Sequence, residues 1–165
     1  MKPFVFVFLI ICPFLIHGQS QALIKIRNLS RENSFETSFK IDSILGSTHE
    51  SASLVMGYRA IADMIRAKSS LFPIDKLKYF KEGRRKLELS IQTDYYSVEL
   101  RYLRFCIQTN VPFYLNYSNN IEEDKRHILN HWNQLTDSDL KQRIKVYMMR
   151  SDFCNEIEKR HFSNG

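Results

Sequence analysis

Three side chains between residues 123 and 131 have the types and the spacing that could bind a metal ion. Glu123, His127 and His131 follow one another at intervals of four residues, so a helix would place them along one side. Two histidines at i and i+4 can ligate one metal ion, with a carboxylate in support. The zinc-protease pattern requires a glutamate directly after the first histidine, and Ile128 stands there. The alternatives are a metal-assisted enzyme and a plain solvated helix face.

A second group of side chains could grip an anion. Arg101, Arg104 and Gln108 are spaced i, i+3 and i+7, which places them on one stripe of a helix. Guanidinium groups bind carboxylate and phosphate through two parallel hydrogen bonds. With Tyr58, these residues are the candidates for binding a ligand or partner. The alternative is an internal network of ion pairs, for which the acidic candidates are Glu50, Asp63 and Glu88.

A basic helix face is the third candidate. Residues 73–92 contain six basic and three acidic side chains, and a helix over them places Lys78, Lys81 and Arg85 opposite the apolar stripe. Such a face could contact an anionic membrane surface or an acidic partner. The alternative is an ordinary solvated surface. Over the whole chain, 24 Lys and Arg against 18 Asp and Glu give a formal net charge of +6.

The N-terminal residues 1–22 have the organisation of a signal peptide. A positive start precedes about 13 apolar residues, too few to span the ~30 Å of hydrocarbon in a bilayer. Ser20 and Ala22 are the small residues that favour cleavage after Ala22. Cleavage after Gly18 and an uncleaved signal anchor are the alternatives. We therefore expect residues 1–22 to be removed, and residues 23–165 to fold as an exported domain, periplasmic or extracellular. Export makes nucleic acid an unexpected partner.

Export also bears on the cysteines. Cys12 lies in the signal segment, which leaves Cys106 and Cys154 in the processed chain. An oxidising compartment would permit a disulfide between them. The alternative is that both are small buried hydrophobic residues.

The elements that must position these residues are helices. Apolar residues recur at intervals of three and four throughout the chain, and few stretches alternate with period two. The pattern predicts an all-α single domain of about six antiparallel helices joined by short turns. Ser47 and Glu50 form a capping-box pattern before one helix. Pro73 suits the first turn of the next helix, whose predicted buried stripe contains Leu77, Phe80, Gly83, Leu87 and Ile91.

The helix after Pro73 resembles the second helix of a tetratricopeptide repeat. Gly83, Leu87, Ser90 and Tyr95 have the offsets of that motif, although the motif has proline where this chain has Tyr95. The resemblance implies a short stack of helix pairs. The sequence of residues 99–112 also resembles a group of small exported bacterial helical proteins without an assigned activity. That resemblance extends over about residues 50–150 and implies a helical fold but no function.

Motifs for nucleophilic catalysis and for phosphate or dinucleotide binding do not occur in the sequence. We therefore predict a non-catalytic interaction module that needs no cofactor and binds a protein or peptide. The alternatives are a metal-assisted enzyme built on His127 and His131, and a peripheral binder of anionic membranes.

Overall fold

The structure is a computed structural model that describes residues 20–164, and within that range it is helical without β-strands. This confirms the predicted all-α fold. The described residues form eight α-helices where about six were predicted, and the first and the last are nine residues long. The helices are α1 (Gln21–Leu29), α2 (Phe35–Leu45), α3 (Ala52–Ser69), α4 (Pro73–Thr93), α5 (Val98–Gln108), α6 (Ile121–His131), α7 (Ser138–Arg150) and α8 (Glu156–Asn164). Short 3₁₀ turns form at Phe113–Leu115 and Trp132–Gln134.

Most of the predicted signal peptide lies outside the described residues, but its last residues overlap the start of α1. The Ser20 hydroxyl accepts a hydrogen bond from the Leu23 amide and so caps that helix. Cleavage after Gly18 would leave α1 and its cap intact, whereas cleavage after Ala22 would remove both the cap and the first two helical residues. Among the described helices, none is both long and apolar enough to cross a membrane.

Capping side chains set most helix starts. Ser34, Ser51, Ser97 and Asp137 each accept a hydrogen bond from the amide three residues further on. The predicted capping box at Ser47 was wrong. The Ser47 hydroxyl instead donates to the Ile44 carbonyl at the end of α2, at 3.0 Å.

Helices α3 and α4 form an antiparallel pair. Ser53 near the start of α3 lies 3.5 Å from Asp94, just beyond the end of α4, and Asp63 further along α3 pairs with Lys86 at 2.6 Å. Gly83 lets the two backbones approach, because its α-carbon faces the Ala60 carbonyl of α3. The predicted stripe on α4 is buried from Phe80 onward, but Leu77 is exposed. The N-terminal end of α4, which contains Leu77, borders a groove rather than the core.

The domain has two hydrophobic cores, and α5 contributes to both. The first core lies among α1–α4 and receives Leu100 and Leu103 of α5. The second lies among α6–α8 and receives Phe105 of α5. The buried residues of α5 also include four polar ones: Glu99, Arg101, Arg104 and Gln108. Helix α5 is therefore surrounded by protein on its apolar and its polar sides.

We expect Gly83→Ala to destabilise the protein despite the better helix propensity of alanine. A Cβ atom at position 83 would lie 3.0 Å from the Ala60 carbonyl oxygen, and that backbone atom cannot move without shifting α3. Overpacking of this kind costs roughly 1–3 kcal/mol against a propensity gain of about 1 kcal/mol. The free energy of unfolding in urea should fall by about 1 kcal/mol.

Gly46→Ala is the matched control, because a Cβ there has no neighbour closer than 3.5 Å and the backbone is already right-handed helical. Its free energy of unfolding should stay unchanged or rise by up to about 1 kcal/mol. Equal stability of the Gly83→Ala variant and the wild type would contradict the close approach of α3 and α4.

Candidate functional site

Arg101 and Arg104 of α5 converge on one carboxylate. Asp124 of α6 accepts hydrogen bonds from Arg104 Nε and Nη2, both at 2.7 Å, and from Arg101 Nη1 at 3.0 Å. Arg101 also pairs with Glu123 at 2.6 Å, and Arg104 with Glu88 of α4 at 2.6 Å. The guanidinium groups thus find acidic partners on two neighbouring helices. We call these five residues the Asp124 cluster.

Uncharged side chains complete the polar contacts around that cluster. The Tyr117 hydroxyl donates to Glu88 at 2.7 Å. Gln108 donates to the Asn120 side chain at 3.3 Å and accepts from the Asn120 amide at 3.1 Å. The Arg101 guanidinium also lies over the Tyr95 ring, 4.3 Å from its centroid. Gln108 therefore fixes the segment that leads into α6 and is not free for a ligand.

A second buried cluster joins α1 to α5 and α7. Arg27 donates to Glu99 through Nε at 2.7 Å and through Nη2 at 2.8 Å, and it also pairs with Asp137 and Asp139. The Tyr58 hydroxyl donates to the same Glu99 carboxylate. Arg143 and, more weakly, Arg27 lower the pKa of Asp139, which keeps that carboxylate ionised. We call this group the Glu99 cluster.

The four residues predicted to bind a ligand or partner thus lie inside the protein. Arg101, Arg104, Gln108 and Tyr58 are each no more than 3% exposed, and acidic or amide side chains of the same chain occupy their polar atoms. They form the internal network of ion pairs that was the alternative to ligand binding. Of the acidic candidates Glu50, Asp63 and Glu88, only Glu88 is a partner, and it pairs with Arg104. The indole nitrogen of Trp132 is the one buried side-chain polar atom without a hydrogen-bond partner in the described part of the chain.

The two histidines of α6 stack on each other. The rings of His127 and His131 lie 4.3 Å apart, His127 Nε2 contacts the Tyr96 carbonyl, and His131 Nδ1 contacts the His127 carbonyl. The carboxylate of Glu123 already binds Arg101 and Asn120. Within residues 20–164, no group of three His, Cys, Asp or Glu side chains is arranged to hold a metal ion.

The predicted basic face of α4 is on the surface. Lys78, Lys81 and Arg85 are exposed, and Arg85 pairs with Glu82 on the same helix at 2.8 Å. An exposed pair of this kind contributes little to stability. Lys78 and Lys81 form no ion pair among the described residues, so their charges are open to a partner.

The two cysteines of the described chain are free thiols, and no disulfide joins them. Cys106 of α5 lies against the hydroxyl groups of Tyr102 and Tyr147, and burial raises its pKa to about 12. Cys154 is buried in the second core, and burial raises its pKa too. Cys154 is therefore a small buried residue, whereas Cys106 is only partly buried and borders the groove. Neither thiol is activated as a nucleophile.

A large groove lies between the two cores of the described residues. It has a volume of about 1540 Å³ and is lined by parts of α3, α4, α5 and α7 together with the segment that follows α5. Its apolar lining includes Ile61, Met64, Leu77, Leu103, Ile107, Val111, Leu115 and Val146. The sequence patterns gave no sign of this groove, because its residues come from several distant segments and none of them forms a motif.

The charged residues along the groove are mostly basic. Arg31, Lys68, Lys76 and Arg150 are exposed and form no ion pair within the described residues. Arg27 and Arg143 also border the groove, but acidic side chains neutralise them. Among the described residues of the lining, Asp152 is the single acidic one. The groove thus combines an apolar surface with a positively charged rim.

We expect Asp124→Asn to destabilise the protein strongly. The substitution keeps the shape of the side chain but leaves two buried guanidinium groups without their shared carboxylate. Breaking a buried ion pair on one side costs about 3–5 kcal/mol, and urea unfolding should show a loss of that order.

Glu82→Gln, which removes the exposed ion pair with Arg85, is the control. Its free energy of unfolding should differ from that of the wild type by less than about 1 kcal/mol. A loss below about 1 kcal/mol in Asp124→Asn would mean that the arginines are not held as described.

Comparisons with models of protein families, with curated proteins and with solved structures find no match to this chain. Inferences about function must therefore come from the groove and from the charged and apolar surface around it.

Proposed function

We propose that the protein is an exported, non-catalytic interaction module that binds a segment of a protein partner in the groove between its two cores. The observation that carries this proposal is the combination of an open apolar groove with four unpaired cations on its rim. The α3–α4 pair, which includes the helix resembling a tetratricopeptide repeat, supplies one part of the lining.

The size of the groove favours a peptide segment over a small molecule. Sites for small molecules and cofactors have volumes of about 300–1000 Å³, and this groove has about 1540 Å³. An amphipathic helix laid along an apolar groove is a common mode of peptide recognition, with side chains at i, i+3 and i+4 as anchors. A segment with several apolar anchors would fit the lining described above.

The charge of the rim specifies the chemistry of that segment. Among the described residues, the lining contains the cations Arg31, Lys68, Lys76 and Arg150 without an ion pair and one acidic residue, Asp152. Acidic side chains on the partner would be attracted to this rim, and basic ones would be repelled. The proposed partner segment therefore has apolar residues on one face and acidic residues on the others.

The reactive groups near the groove support a binding role over catalysis. Burial raises the pKa of the Cys106 thiol to about 12, and burial likewise raises the pKa of the Tyr102 hydroxyl above its usual range. Both groups stay protonated at neutral pH. The His127 and His131 pair is not part of the groove lining, so it adds no catalytic group there.

The test is the binding of a designed amphipathic peptide in which leucines form one helical face and glutamates the other. Fluorescence anisotropy should show saturable binding of this peptide and at least tenfold weaker binding of the same design with lysine in place of glutamate. Arg31→Glu with Arg150→Glu should weaken binding by about tenfold, because the rim then repels the peptide. Val146→Glu, which places a charge among the apolar lining, should weaken it as well.

Arg126→Glu is the matched control, since Arg126 is an exposed basic residue of α6 outside the groove. It should leave the affinity for the glutamate peptide within about twofold of wild type. Equal binding of the acidic and basic peptides would overturn the proposal. Saturable binding of a fluorescent fatty acid in place of the peptide would overturn it in favour of a lipid site.

A further inference from the structure

The turn between α3 and α4 exposes large apolar side chains to an unusual degree. Leu71 is 88% exposed, Phe72 68% and Ile74 82%, and all three lie within four consecutive positions. None of the three lines the groove. We call these residues the α3–α4 tip. Single exposed apolar residues are normal on protein surfaces, but a cluster of them marks an interaction site.

The local sequence explains why the tip cannot bury itself. Pro73 starts α4 and restricts Phe72 to an extended backbone. The turn is therefore only three residues long and directs its side chains away from the packed faces of α3 and α4. Within the described residues these side chains therefore stay uncovered.

Lysines flank the tip on both sides in the sequence. Between residues 68 and 81 the chain has Lys68, Lys76, Lys78 and Lys81 against the single acidic residue Asp75. All four lysines are exposed and have no ion pair among the described residues. Long lysine side chains can keep their charged ends in the polar layer of an interface while neighbouring apolar groups enter the hydrocarbon.

A second apolar segment lies along the same groove. Phe113 is 93% exposed, and its neighbours Pro112 and Tyr114 line the groove together with Pro73 and Leu77 from the start of α4. Residues next to the tip and next to Phe113 therefore line the same groove. Two short turns with protruding aromatic and aliphatic side chains are suited to entering a soft interface.

From these observations we propose that the α3–α4 tip docks on an anionic lipid bilayer. Leu71, Phe72 and Ile74 would enter the boundary between headgroups and acyl chains, and the lysines that flank them in the sequence would contact lipid phosphates. Charge complementarity selects this occupant, because exposed lysines without an ion pair among the described residues flank the apolar cluster, and a negatively charged membrane surface attracts them. The three apolar side chains of the tip and Lys78 and Lys81 lie outside the groove lining, whereas Lys68 and Lys76 also border the groove.

The experiment measures sedimentation of the protein with vesicles made of equal parts phosphatidylglycerol and phosphatidylcholine. The wild type should sediment with these vesicles and much less with pure phosphatidylcholine. Phe72→Ser with Ile74→Ser should lower the partition coefficient by about tenfold or more, since these side chains supply most of the apolar burial. Lys78→Gln with Lys81→Gln should lower it by about tenfold on the mixed vesicles and little on the neutral ones.

Ile157→Ser is the matched control, because Ile157 of α8 is 72% exposed and does not belong to the tip. It should bind the mixed vesicles within about twofold of wild type. Thermal unfolding followed by circular dichroism should give wild-type transitions for all of these surface variants, so a loss of binding reports the surface itself.

Absence of wild-type binding to the anionic vesicles, or equal loss in the Ile157→Ser control, would overturn the proposal and would favour a protein partner at the tip. The serine and glutamine substitutions lie outside the groove lining, so they should not change binding of the glutamate peptide. If vesicle binding holds while the peptide fails to bind, only the function proposed for the groove is contradicted.

Discussion

The burial of charged side chains along α5 is the constraint on which the rest of the structure depends. Transfer of a charged group into the protein interior costs several kcal/mol unless it is paired and hydrogen-bonded. Glu99, Arg101 and Arg104 are all buried, so each needs a partner of opposite charge. These partners come from α1, α4 and α6, and the segment at the start of α7 completes the Glu99 cluster. Arrangements that separate any of these elements from α5 would leave a buried charge uncompensated.

The same constraint shapes the groove. Helix α5 presents its charged side to the Asp124 and Glu99 clusters, while Tyr102, Leu103, Cys106 and Ile107 line the groove. The α3–α4 pair and α7 also line it, and the Glu99 cluster connects α3 through Tyr58 to the start of α7 through Asp137. The ion pairs thus fix the elements that border the binding surface, without being part of the contact with a partner.

The sequence predicted the helices well, because helical periodicity and caps are local signals. Pro73 marked the start of α4, and the structure has that start. The capping box at Ser47 was misplaced, since several serines stand close together there and Ser51 caps α3 instead. The i, i+3, i+7 pattern of Arg101, Arg104 and Gln108 identified an important stripe. The burial of this stripe could not be predicted from the sequence, because Asp124 and Glu88 approach the two arginines only through the packing of α4 and α6 against α5.

The groove and the α3–α4 tip show a second limit of sequence reasoning. The groove is lined by residues from several helices and loops that share no motif, and their proximity depends on tertiary packing. Leu77 has the spacing of a core residue on α4, yet it is exposed because the first turns of that helix extend past the first core. Local patterns specify which residues are apolar, but only the packing decides which of them stay uncovered.

The most direct test of this account is a double-mutant cycle on Arg27 and Glu99, which join α1 to α5. The free energy of unfolding is measured in urea for the wild type, for Arg27→Ala, for Glu99→Ala and for the double variant. If buried ion pairs fix α5 in the domain, the two substitutions should be coupled by about 2 kcal/mol or more. Additive effects, with a coupling below about 0.5 kcal/mol, would contradict the claim that buried ion pairs fix α5 in the domain.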